Sequence, residues 1–77
     1  MNKKRRKNIQ GILDQLEELK GSLEEVQAEE EEYRDNIPEN LQGSERYEKA
    51  DEACDTLSEA VDGLDDIICE LGNLIEG

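Results

Sequence analysis

Two apolar stripes with seven-residue spacing, separated by one proline, decide what this chain can fold into. From Ile9, steps of seven reach Leu16, Leu23, Glu30 and Ile37. Three residues beyond the first four of these stand Ile12, Leu19, Val26 and Tyr33. They are the a and d rows of a coiled-coil seam, interrupted only at Glu30, and Leu13 widens the stripe early on. The second half repeats the pattern. Tyr47, Cys54, Val61, Ile68 and Ile75 form an a row, and Ala50, Leu57, Leu64 and Leu71 a d row. A third row, Ala53, Ala60, Ile67 and Leu74, gives this half the broader apolar face.

Between the stripes lies "RDNIPENLQGSERYEK". Pro38 cannot continue a helix without losing a backbone hydrogen bond, and it drives Ile37 out of helical geometry. "PENLQ" can form one helical turn with Pro38 at its first position, and Gly43 can end it. Ser44 is a good N-cap, and Glu45 follows it in the first turn. The pattern predicts a single all-α domain over residues 1–77: a helix over about 5–35, a turn over about 36–43 and a helix over about 44–75. A short connection makes the helices antiparallel neighbours. The fold expected is therefore a coiled-coil-like two-helix hairpin, with paired residue numbers totalling about 80. That register sets Val26 against Cys54, Leu19 against Val61, Leu16 against Leu64 and Ile9 against Leu71. One hairpin of this size supplies little buried apolar surface against the entropy of ordering it. The row Ala53, Ala60, Ile67 and Leu74 then reads as a dimer face, and a homodimeric four-helix bundle is the expected assembly.

Charge is the second constraint. The 77 residues carry a net −13, with no histidine. Residues 1–8, "MNKKRRKN", carry +5, which leaves −18 on residues 9–77. Such a body repels nucleic acid and anionic lipid and attracts basic surfaces. The hairpin register places Lys3–Lys7 near Glu70 and Glu76, where acid and base would offset each other at the two helix ends. A nucleic-acid-binding tail is the rival reading of that head. Cys54 and Cys69 fall on one helix, roughly 22 Å apart, too far for a disulfide. Two free thiols suit a reducing cytoplasm. Cys54, at an a position, is expected to be a core residue and Cys69 to be partly exposed. No apolar run is long enough for a signal peptide or a membrane span.

The chain offers little to catalysis. Without histidine, the serine–histidine and cysteine–histidine pairs and the usual zinc sites are excluded. The spacing of a calcium-binding loop fails, because Leu16 and Leu64 stand where a ligand is needed. Glu29-x-x-Glu32 and Glu48-x-x-Asp51 have the form of the paired carboxylate motifs of all-α nucleotide pyrophosphatases. The heptads turn Glu32 and Glu48 away from the seam, whereas a metal cage needs carboxylates that converge. The expectation is a protein that is not an enzyme and holds no cofactor or metal. The acidic run Ala28–Asp35 points to a docking face made of Glu24, Glu25, Glu29, Glu31, Glu32, Asp35 and Glu39. Asn36, Pro38, Asn40, Gln42, Arg46 and Tyr47 form a turn more elaborate than a hairpin needs, which points to recognition at the tip. Glu30, at an a position, is expected opposite Ala50 or Asp51, near Arg46 and Lys49.

The basic start "KKRRK", the acidic run, the turn N-x-P-E-x-L-Q-x-S-E-R and the second acidic heptad helix together resemble small acidic helical proteins of Firmicutes phages, prophages and conjugative elements. The resemblance covers nearly the whole chain, and the turn is its specific part. It implies an accessory gene on a mobile element and carries no activity with it. The functional expectation is an acidic module that occupies a basic nucleic-acid-binding surface, as anti-CRISPR and anti-restriction inhibitors do. The alternative is a structural or adaptor hairpin that self-associates or completes a partner's bundle.

Overall fold

A computed structural model describes residues 1–77 as two long helices, α1 (Lys3–Asp35) and α2 (Glu45–Glu76), joined by a 3-10 turn at Glu39–Leu41. The helices lie against each other along their length. The molecule is a rod of 59 × 15 × 13 Å. The all-α hairpin is as the heptads predict.

Each helix end has a local cause. Asn2 takes an extended conformation, and its side chain accepts a hydrogen bond from the Arg5 N–H at 2.9 Å. This cap starts α1 two residues earlier than the apolar periodicity suggests, inside the basic run. The Asn36 N–H still reaches the Glu32 carbonyl. Pro38, at φ −57° and ψ 145°, then turns the chain out of the helix. Ser44 caps α2 by accepting from the Tyr47 N–H, and its hydroxyl donates back to the Leu41 carbonyl. No residue adopts a positive φ, so Gly43 closes the turn without left-handed backbone.

The seam departs from the expected one in two ways. First, the register is shifted. The inter-helix ion pairs Lys20–Asp65 and Arg34–Asp51 have residue numbers that each total 85, not 80. The connection climbs past the last turn of α1, so α2 begins about one turn beyond it, and Ile37 continues the seam as a buried side chain. At this register Ile9 lies level with Ile75, Leu16 with Ile68 and Leu23 with Val61. The pairings of Val26 with Cys54 and Ile9 with Leu71 are replaced accordingly. Glu30 lies level with Cys54, where its charge is felt by that thiol, rather than opposite Ala50 or Asp51.

Second, α1 is rotated about its axis. Its seam is the a row together with Leu13, Lys20, Gln27 and Arg34, all buried or half-buried. The d row expected there, Ile12, Leu19, Val26 and Tyr33, is exposed. This rotation lets Lys20 and Arg34 reach the carboxylates of α2, at 2.8 and 3.0 Å. One seam also covers too narrow an arc to take all the apolar rows of both helices. Only Leu13, Ile37, Ala50 and Cys54 are fully buried.

This packing makes two substitutions informative. Leu13→Ala removes the best-buried leucine and should cost about 2–3 kcal/mol. Glu30→Leu replaces a half-buried carboxylate in the seam and should stabilise by about 1 kcal/mol, a rise of about 4–8 °C in Tm. Thermal unfolding followed by circular dichroism checks both; equal effects would contradict the seam described here.

Candidate functional site

The long axis of the hairpin separates two unlike flanks. On one, polar side chains close the seam. Lys20 and Asp65 pair across it, as do Arg34 and Asp51, and Gln27 donates to Glu31 at 3.1 Å. The pairing raises the Lys20 pKa, mainly through the hydrogen bond to Asp65. The Arg34 pKa is raised too, first by its hydrogen bond to Asp35 and then by the one to Asp51. Both cations are solvent-accessible, so each pair is worth little by itself. They act as a register lock.

The other flank is open and apolar. In an antiparallel pair, the position preceding the seam on one helix lies beside the same position on the other. For α1 these positions are Ile12, Leu19, Val26 and Tyr33; for α2 they are Ala53, Ala60, Ile67 and Leu74. At the observed register Ile12 sits beside Leu74, Leu19 beside Ile67, Val26 beside Ala60 and Tyr33 beside Ala53. The six large side chains among them are 44–60% exposed. The row Ala53, Ala60, Ile67 and Leu74 was expected from the heptads. The matching row from α1 was assigned to the seam, and only its rotation reveals it as surface.

The acidic surface is where the sequence puts it. Glu24, Glu25, Glu29, Glu32, Asp35 and Glu39 are exposed, and Glu31 is half-buried beside Gln27. All but Glu29, at the edge of the apolar flank, point away from that flank. Across the chain only Asp35, Glu45, Asp51 and Asp65 are in ion pairs, out of 22 acidic residues. Asn36, Pro38, Asn40, Gln42 and Arg46 are exposed at the tip, together with Leu41. Tyr47 is half-buried and continues the seam, so its role is partly structural.

Lys3–Lys7 are exposed and form no ion pair. The expected neutralisation by Glu70 and Glu76 is therefore not made within the hairpin. The carboxylates Glu29, Glu32, Glu48 and Asp51 do not converge; the first three are exposed and Asp51 is held by Arg34. The structure contains no group of three or more side chains placed to hold a metal ion, and no pocket. No helix is long and apolar enough to cross a membrane. No family model, curated protein or solved structure matches the chain.

Both cysteines are free thiols on α2, one buried and one exposed. Burial pushes the Cys54 thiol up, partly offset by Arg34, and Glu31 and Glu30 push it up further. A thiol pKa raised by folding supports the fold below the ordinary thiol range and loses that contribution as pH rises through it. A disulfide reagent at neutral pH should label Cys69 at least ~100-fold faster than Cys54, with the difference abolished in denaturant. Equal rates in the folded protein would place Cys54 outside the seam.

Proposed function

We propose that this chain is a non-enzymatic, cytoplasmic protein-binding module. Its acidic surface occupies a basic surface on a partner that otherwise holds nucleic acid, in the manner of the inhibitors carried by phages and mobile elements. The observation that supports this reading is a set of 18 carboxylates outside any ion pair, 22 less the four that are paired, borne on a rod 59 Å long. The whole chain carries −13 along 59 Å, about one charge per 4.5 Å, the same order as the ~3.4 Å spacing of phosphates along one nucleic-acid strand. Glu24, Glu25, Glu29, Glu31, Glu32, Asp35 and Glu39 would stand in for phosphates. The exposed tip residues Asn36, Pro38, Asn40, Gln42 and Arg46 would add shape to what charge alone leaves unspecific, with Tyr47 fixing the tip to the seam.

A second reading is favoured by the open apolar flank: an adaptor hairpin that completes a helical bundle. The two readings make opposite mutational predictions. The test uses immobilised protein in nuclease-treated host lysate, with captured proteins identified by mass spectrometry. In the first reading the captured proteins are nucleic-acid enzymes released by duplex DNA. Binding then falls steeply with salt, and Glu31→Lys with Glu32→Lys weakens it by at least ~tenfold. Capture that ignores DNA, salt and these reversals but is lost in Ile67→Asp rejects mimicry in favour of the adaptor.

A further inference from the structure

The open apolar flank runs from Ile12 to Tyr33, roughly 30 Å at the helical rise, and is two helices, or about 20 Å, wide. A patch of that size is more than a monomer ordinarily leaves in water. Covering it on two molecules removes on the order of 1,200 Å², the lower edge of a standard stable interface. The flank is also poor in charge in a chain where 40% of residues are charged. The two rows carry none, and of the positions bordering them only Glu29, Glu30, Lys49 and Glu70 do; Gln15, Ser22, Thr56 and Gly63 do not. Depletion of charge at an apolar centre is the compositional mark of an interface.

The charges of α1 identify the occupant. Lys3–Lys7 stand at its N-terminus and Glu29–Glu32 with Asp35 at its C-terminus, the reverse of what the helix dipole favours at both ends. Of these residues only Asp35, paired with Arg34, and Glu31, which accepts from Gln27, have side-chain partners within the hairpin. A surface that carries a basic cluster at one end and an acidic one at the other is complementary to itself when turned end for end.

We propose that the flank is covered by a second copy of this chain, packed head to tail about a two-fold axis, so that the basic head Lys3–Lys7 of each copy lies over the acidic tip of the other. In this arrangement α1 packs antiparallel on α1 of the second copy, and α2 on α2. With the axis midway between Leu19 and Val26, Leu19 meets the second copy's Val26 and Ile12 its Tyr33. On α2 the row grows from alanine at the tip to leucine at the open end, so Ala53 meets Leu74 and Ala60 meets Ile67. Small faces large at each level, as a filled interface requires. The head comes over the tip, near Asp35, Glu39 and Glu45. The parallel alternative would stack two basic heads at one end and two acidic tips at the other. This inference concerns the apolar flank alone and does not depend on what the acidic surface binds.

Sedimentation of the purified full chain at about 100 μM and low salt should give twice the 8.8 kDa chain mass. Leu19→Glu should give a monomer of unchanged helicity, because Leu19 is exposed in the hairpin and adds little to it. Lys3→Glu, Lys4→Glu and Arg5→Glu together should weaken the dimer by more than about tenfold, and adding Asp35→Lys with Glu39→Lys should restore it. Direction is read by pulsed electron spin resonance on a spin label at Gln10→Cys, with Cys54→Ala and Cys69→Ala. Head-to-tail packing puts the two labels roughly 40–50 Å apart, and parallel packing under about 30 Å. A monomer at that concentration, including one that takes up some other partner on this flank, overturns the proposal. So does a dimer with the short distance or one indifferent to Leu19→Glu.

Discussion

Two helices share only one seam, and everything else in this molecule follows from that limit. Each helix here has more apolar surface than a single antiparallel contact can cover. The hairpin therefore buries four side chains fully and leaves six large apolar ones half in water. The choice of which rows to bury goes together with two ion pairs. Rotating α1 so that Lys20 and Arg34 reach Asp65 and Asp51 seals one flank and collects the surplus apolar rows of both helices on the other. Neither pair contributes much energy in its exposed setting, yet each would be lost if α1 slid or turned by one position. They specify the arrangement more than they stabilise it.

The distribution of charge follows a second logic. α2 starts with Glu45 and Glu48 in its first turn, in accord with its dipole. α1 opposes its dipole at its basic N-terminus, and near its C-terminus only Arg34 has the favoured sign, yet it forms over its whole length. Its N-terminus is secured by Asn2 and its C-terminus by the Asn36 and Ile37 N–H groups, which reach Glu32 and Arg34. Inside the hairpin no ion pair compensates Lys3–Lys7.

Much of this was legible in the sequence because periodicity and punctuation are local signals. The two heptad runs, the break at Pro38, the cap at Ser44 and the burial of Cys54 all follow from residue type and spacing. The start of α1 at the Asn2 cap was not legible, since that cap lies ahead of the apolar periodicity. Nor were rotation and register. A heptad with apolar residues at a, d and a neighbouring row allows more than one seam. The choice depended on charges some 45 residues apart in the chain, Lys20 and Asp65. The register depended on how the turn climbs past α1, which loop length alone does not give. The exposure of the acidic residues was legible because an exposed helix surface is whatever the seam is not. The α1 half of the apolar flank was missed for the same reason, since a row assigned to the seam cannot also be counted as surface.

The two proposals bear on each other through charge density. A single hairpin carries negative charge at a linear density of the same order as one nucleic-acid strand. Two hairpins side by side, −26 with their heads included, carry about one charge per 2.3 Å, between the ~3.4 Å of one strand and the ~1.7 Å of a duplex. Head-to-tail pairing also disposes of the one feature that mimicry cannot use, because each basic head would lie over an acidic tip and leave the middle of the rod uniformly negative. The apolar flank supplies the attraction that two polyanions otherwise lack. A chain selected only to be acidic would have no reason to keep a fivefold basic head or two aligned apolar rows. A chain that must pair with itself before it can present a duplex-like surface needs both.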